Sequence, residues 1–211
     1  MKPEEKETKS KYDLIAEHYH NLRTKLNPHG WMYNEHLEMP ATLKSIGNVK
    51  GKKILDFGCG TGIYTKILKN KGAKIKGFDI SPKMLKIAKD YVKNVEFRQG
   101  TGNKIPFDEK FGIVVASLVL DYFKDWNKPL KEINRILKNK GYFVFSIGNP
   151  ISEISEKYKI KGKRVKYKGI SARVFGDYFK ERKIYGTWKL LHKKEVINVR
   201  MPTYHKTYET I

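Results

Sequence analysis

From Lys52 onward, short apolar runs alternate with longer stretches in which apolar residues recur every three or four positions. "KKILDFG" is an apolar run closed by an acid, and the "IYTKILKN" that follows its glycines has helical spacing at Ile63, Ile67 and Leu68. "AKIKGFDIS" predicts a second strand ending in Asp79, with Ser81 as N-cap and Pro82 as first-turn residue of a helix over "KMLKIAKDYV". "VEFRQG" predicts a third strand. "FGIVVASLVL" is continuously apolar, as in a central strand buried on both faces. A helix over "NKPLKEINRILKNK" presents Leu130, Ile133, Ile136 and Leu137, with Asp125 as cap and Gly141 as its C-terminal stop; "YFVFSIG" is the fifth strand. Alternation of this kind implies right-handed crossovers and an α/β fold: an open, doubly wound, mostly parallel sheet with helices on both faces.

The flanks carry other patterns. The chain divides into an N-terminal helical lid (1–46), an α/β core (47–150) and a β-rich insertion with an incomplete C-terminal part (151–211), all within one domain of 211 residues. In the lid, Tyr12 and Tyr19 are seven apart and share a helix face, either over a ligand or in a packing stripe with Ile15 and Ala16. In the insertion, "YGTWKLLHKKEVINVRMP" predicts two strands turning near His192 to Lys194, and "TYHKTYETI" predicts the first turns of a helix. An uncovered sheet edge would leave room for pairing in a homodimer.

Composition narrows the setting. The longest strongly apolar stretch, Ile113 to Leu120, is far below the ~20 residues of a membrane span, and "MKPEEKETKS" has no signal-peptide core, so a soluble, cytoplasmic protein is expected. One cysteine excludes internal disulfides. The four histidines at 18, 20, 29 and 36 lack the acid-flanked spacing of a metal helix, and no metal site is expected. The formal charge of +22 is mostly dispersed lysine. "KYKIKGKRVKYK", from Lys157 to Lys168, is the exception, with seven cations in twelve residues and no acid. Two readings stand for it: a lysine-protected edge strand, or a contact for RNA or an anionic substrate.

The polar residues at the strand ends concentrate the chemistry. Asp56, Asp79, Thr101, Ser117 and Asn149 lie at or just past the C-terminal ends of strands, where ligands bind in open α/β sheets. The loop "DFGCGTG" carries glycines at 58, 60 and 62, one residue short of the dinucleotide spacing, and it lacks the Gly-Lys-Ser/Thr of a phosphate loop. Asp56 beside it disfavours a phosphate and favours an amine. Asp79 is placed to accept two ribose hydroxyls, so the ligand implied is small, amine-bearing and attached to a ribose.

With these motifs in order, the chain resembles the class I S-adenosylmethionine-dependent methyltransferases. "ILDFGCGTG" is similar to their first motif, "GFDIS" to the second, "GTGNKIPF" to the G-D-A-x-x-L-P-F loop, "VVASLVLDYFKDW" to the fourth and "EINRILKNKGYFVFSIGNP" to the helix and strand that follow. The resemblance implies a Rossmann-like fold and S-adenosylmethionine as cofactor. It implies backbone approach at Gly58, Gly60 and Gly62, with Asp56 toward the amino group, Asp79 on the ribose and Ile80 against the adenine. The cofactor set it suggests is completed by Cys59, Thr101, Gly102, Ser117, Tyr12 and Tyr19. Where the family commonly has an aspartate for the adenine amino group, this chain has Thr101, a weaker, neutral acceptor.

Methyl transfer from a sulfonium is an in-line displacement, which alignment in a water-poor site accelerates without a dedicated nucleophile. A base is needed only for a protonated acceptor. Asp121 is the candidate, with a turn or capping role as its alternative; Glu35 and His36 are weaker candidates on the lid. The Asn/Asp-Pro-Pro-aromatic motif of amino-group nucleic-acid enzymes is missing after strand four, and the sole cysteine lies in the glycine loop. Ribose and other base positions stay open, and the motifs in register with the tyrosine-containing lid make a small-molecule acceptor, anionic ones included, the expected partner. The alternatives are an RNA methyltransferase using residues 157–168 and a non-catalytic cofactor-binding protein.

Overall fold

The computed structural model describes residues 1–24, 33–149, 163–167, 170–174, 182–192 and 195–206. A long helix, α1 (Pro3–Thr24), leads to a π-helical turn (Tyr33–Glu38) and α2 (Met39–Ile46). The core then runs β1 (Lys53–Phe57), α3 (Ile63–Asn70), β2 (Lys74–Asp79), α4 (Pro82–Tyr91), β3 (Glu96–Gln99), β4 (Phe111–Ser117), a 3-10 turn (Leu120–Tyr122), α5 (Asn127–Ile136) and β5 (Leu137–Ser146). β1 to β5 form one sheet of order β3-β2-β1-β4-β5, with every pairing parallel. The parallel pairing follows from the alternation in the sequence, since each crossover is carried by a helix or by a long loop.

Side chains alternate across this sheet into two apolar layers. Leu55, Phe57, Val114 and Ala116 pack with Ile133 and Ile136 of α5 on one face. Ile54, Ile75, Ile113 and Val115 pack with Ile46 of α2 and Leu68 of α3 on the other. β4 is thus buried on both faces, and Ile113 to Ala116 are 0% exposed. At α4, Ser81 Oγ accepts from Met84 N–H at 3.1 Å and Pro82 opens the helix, as the sequence predicts. Asp125, the expected cap of α5, instead lies one residue before the N-cap, Trp126, and its Oδ1 accepts from Asn127 N–H at 2.9 Å.

Three boundaries differ from the sequence expectation. β4 stops at Ser117 instead of running through Leu120, because Leu118 adopts φ 53° and its N–H turns to Ser146. α5 ends at Ile136, well before Gly141: Leu137 already pairs with Phe111, and the ladder resumes at Tyr142 opposite Ile113. Between them the chain bulges, with Lys140 at φ 62°. Thr203 to His205 are strand and not helix, because they pair with Arg182 to Ile184.

The remaining strands form two separate ribbons. β6 (Lys163–Tyr167) pairs antiparallel with β7 (Ile170–Val174). Lys157 to Gly162 and Lys168 of the basic cluster lie outside the described residues. β8 (Arg182–His192) and β9 (Glu195–His205) form the long hairpin expected from the sequence, and Val199 and Met201 of β9 pack on Ile15 and Ala16 of α1. Among the described residues no helix is long and apolar enough to cross a membrane.

The bulge before β5 explains Gly141. A Cβ there would lie 2.9 Å from the Lys138 carbonyl oxygen and 3.1 Å from that of Gly112. Both are backbone atoms, so relief requires moving β4 or β5. Gly141→Ala should therefore destabilise the protein by about 1–3 kcal/mol, measured as a lower urea midpoint at unchanged slope.

Candidate active site

A cavity of about 430 Å³ opens beyond the C-terminal ends of the parallel strands. The glycine loop forms part of its floor. Gly58 has φ 70°, and a Cβ on it would come within 2.7 Å of the Val119 side chain, so the close passage of β1's exit loop past β4's requires glycine. Gly62, at φ 83°, leads into α3 and packs against Ala88 and Val92 of α4. The loop is tied to β2 by two hydrogen bonds. Cys59 N–H donates to the Phe78 carbonyl and Gly60 N–H to Asp79 Oδ2, each at 2.9 Å.

Asp79 therefore sits where the sequence places it, at the end of β2, 8% exposed and lining the cavity. Its Oδ1 accepts from Ser81 N–H at 2.9 Å. Burial pushes its carboxyl up to about 6, although the backbone donors oppose that shift. Asp56 is different. It is 2% exposed, does not line the cavity, and accepts from Thr65 Oγ1 at 2.5 Å. Burial first, and then the charge of Asp79, push it up to about 7, with Thr65 acting against them.

Of the other residues singled out in the sequence, Tyr12, Tyr19, Gly58, Gly60, Ile80, Thr101, Gly102, Ser117 and Asp121 all line this one cavity. Asp56, Cys59, Gly62 and Asn149 do not. Cys59 turns into an apolar cluster with Leu85, Ala88, Val92 and Phe97, where burial pushes its thiol well above the ordinary value. Asp121 is buried at the cavity wall, and its Oδ2 accepts from Gly148 N–H at 2.9 Å, so it also ties β4's exit to β5's. Glu35 pairs with Arg23, and His36 is exposed. Among the described residues no group of three His, Cys, Asp or Glu is gathered as a metal ion would need.

Four residues that the sequence did not single out complete the site. The Tyr12 hydroxyl donates to that of Tyr122 at 2.5 Å, with the rings edge to face. Arg23, its side chain 4% exposed, gives Nε to Glu35 and Nη1 to the Tyr19 hydroxyl, both at 2.7 Å. Its Nη2 is buried and has no hydrogen-bond partner, and Arg23 lines the cavity. Glu38 lies just behind: its Oε1 accepts from Thr42, Ser117 and Ser146 and its Oε2 from Tyr64, joining the 33–46 segment to the ends of β4 and β5. Glu5 is the fourth, beside Thr101 and Asn103. The sequence hints at Arg23 only through its i, i+4 spacing from Tyr19, and at the other three not at all, because each acts across the tertiary fold.

A methyltransferase-domain family model matches residues 55–145, the segment that holds this crevice. That match covers the α/β core and less than half of the chain. A solved S-adenosylmethionine-dependent methyltransferase from Mesorhizobium loti shares the methyltransferase fold at 23% identity, with a TM-score of 0.63 over 84% of this chain and 78% of that one. In sequence, a demethylmenaquinone methyltransferase from Chlorobaculum parvum is 39% identical over 100 residues, 46% of this chain and 42% of that relative. The chain thus matches less than half the length of that methyltransferase. An uncharacterized protein from Haemophilus influenzae is 29% identical over 96% of this chain and 79% of its own length.

The buried carboxylates of this α/β core set a pH dependence. In the unfolded chain Asp56 titrates near the ordinary aspartate value of about 4, whereas in the fold it titrates at about 7. The folded state thus holds a proton between these limits that the unfolded state has released, so stability rises as pH falls through this window. The urea midpoint of the ligand-free protein should be higher at pH 5.5 than at pH 7.5. Asp56→Asn should remove the larger part of that difference.

Proposed function

We propose that the chain is an S-adenosylmethionine-dependent methyltransferase acting on a small-molecule acceptor. The observation that carries this reading is the carboxylate of Asp79 at the end of β2, facing the same cavity as the glycine loop that it ties down. The residues fit the cofactor at several points. The loop lets the backbone approach at Gly58 and Gly60, Asp79 accepts from the ribose hydroxyls, Ile80 packs on the base, and Arg23 Nη2 is a buried donor lacking the partner that the cofactor's carboxylate would supply. Asp56 reaches the amino group only through an intervening group, since it is buried behind the cavity lining with one oxygen bonded to Thr65.

The cofactor supplies an electrophilic methyl group on a sulfonium. The chain's own contribution is to align and to exclude water: α1 and the β8–β9 hairpin wall the cavity with Tyr12, Tyr19, Met201 and Thr203, while Ser117 and Tyr122 border it from the end of β4. Asp121, at this wall, is the carboxylate placed to hold a proton from a hydroxyl or amine acceptor. The net charge of +22 favours an anionic acceptor through long-range attraction. The demethylmenaquinone and ubiquinone methyltransferases among the relatives support an acceptor of small-molecule size.

Calorimetry with S-adenosylhomocysteine tests the reading, and no heat of binding by folded protein would overturn it. Asp79 must be ionised to accept two hydroxyls and titrates at about 6, so affinity should fall as pH drops below that value. A loss of about tenfold is expected between pH 7.5 and pH 5. Asp79→Asn should bind more weakly at pH 7.5 and lose this dependence.

A further inference from the structure

The surface built by α3 and α4 carries charge of one sign. Between Gly58 and Val95 the chain has nine lysines and no arginine, against two acids, and one of those, Asp79, is buried. On α4 the apolar face is Met84, Leu85 and Ala88, and the opposite face is an exposed stripe of Lys83, Lys86 and Lys89 at three-residue spacing. α3 extends it sideways: Lys66 Nζ lies 3.8 Å from the centroid of the Tyr91 ring, and Lys69 Nζ donates to the Lys93 carbonyl. Asp90 is the one exposed acid in this stretch, and it pairs with Lys93 at 3.5 Å. Elsewhere the cations are matched. Lys53, Lys76, Arg98 and Arg135 each meet a carboxylate, so acids that could neutralise the stripe are placed on other surfaces.

A general enrichment in lysine raises the charge everywhere; it does not clear one face of acids. Like charges one turn apart on a helix repel, so the stripe destabilises the free protein, and an anion laid over it removes that repulsion. The chemistry of the face narrows the anion. Among the described residues, none of the exposed large apolar side chains lies on α3 or α4. The face therefore lacks the apolar anchors of an interfacial membrane helix and of a protein interface. The Tyr91 ring is covered by Lys66 and meets the His20 ring at 4.7 Å, so it is no platform for the stacked bases of a single strand. Lysine ammoniums are compact point charges that neutralise phosphates without a fixed direction of approach. We infer that the face of α3 and α4 docks a nucleic-acid duplex through its phosphate backbone. Phosphates carry no base information, so this docking is independent of sequence. None of these lysines lines the cavity, and the duplex contact is separate from the cofactor site.

The competing account is that the whole chain, at +22, attracts any polyanion without a defined face. Fluorescence anisotropy with an RNA duplex and a DNA duplex of equal length, followed across a salt series, separates the two. The wild type should bind at ~0.15 M salt, its log affinity falling by about 0.9 per log unit of salt for each phosphate neutralised. Replacing Lys83, Lys86 and Lys89 together by Gln should lower that slope by about 2 to 3 and weaken binding at least about tenfold. Replacing Lys131 of α5 and Lys138 and Lys140 of β5 by Gln removes the same charge from exposed positions elsewhere. That variant should stay within about threefold of the wild type, since few of its lost cations lie near the bound phosphates. The α4 variant should unfold at a urea midpoint no lower than the wild type, because the repulsion along its stripe is relieved. Tighter binding of one duplex identifies RNA or DNA as the partner. Equal losses in the two variants overturn the proposal, as does a wild type that binds neither duplex at ~0.15 M salt.

Discussion

Everything in this structure depends on β1 being paired in parallel on both edges. From β1 the chain winds first to one side, through β2 and β3, and then crosses back to add β4 and β5 on the other. The loops leaving β1 and β4 consequently part company, and a crevice opens between them at the strand ends. That constraint accounts for the glycine at 58, where the two diverging loops still touch, and for the reach of the Gly60 N–H to Asp79. No side chain creates the crevice; the strand order does, and the side chains decide what it holds.

The polar interior is arranged in a graded way. Asp56 is shut behind the loop, Asp79 borders the cavity, and Glu38 accepts from four hydroxyls at the back of the lid segment. Burying a carboxylate is costly unless donors meet it, and the shifted titrations of Asp56 and Asp79 record that cost incompletely offset. Glu38 differs in accepting from side-chain hydroxyls alone, three on Oε1 and one on Oε2. Such a site keeps its charge responsive near the ligand while the scaffold behind it is fully bonded.

The central sheet was legible in the sequence because its signals are local. A strand buried on both faces reads as an unbroken apolar run, and Ser81-Pro82 marks a helix start by its own chemistry. The errors fall where tertiary pairing overrides pattern. "LKNK" continues a helical period, but Leu137 is claimed by Phe111 across the sheet; "TYH" suggests a helix start, but a long hairpin partner was waiting for it. The same holds for the site. Asp79, Gly58 and Gly60 follow from motif and strand position, whereas Glu5, Arg23 and Tyr122 matter only once α1 lies across the crevice, and no periodicity announces where a polar helix will dock.

The docking of α1 has a consequence for how tightly any ligand is held. Its apolar seam is small, chiefly Ile15 and Ala16 against Met84, Val199 and Met201. The rest is polar: Asp13 to Ser81, Glu5 to Asn103, Tyr12 to Tyr122 and the ion pair of Glu7 with Lys183. A wall held this way detaches at less free energy than the core unfolds. The affinity observed is then the intrinsic affinity scaled by the docked fraction. Salt, which screens half-buried surface pairs such as Glu7 and Lys183, lowers that fraction without touching the cavity. The helix is in effect a second ligand of the core, tethered to it, and the two ligands bind cooperatively.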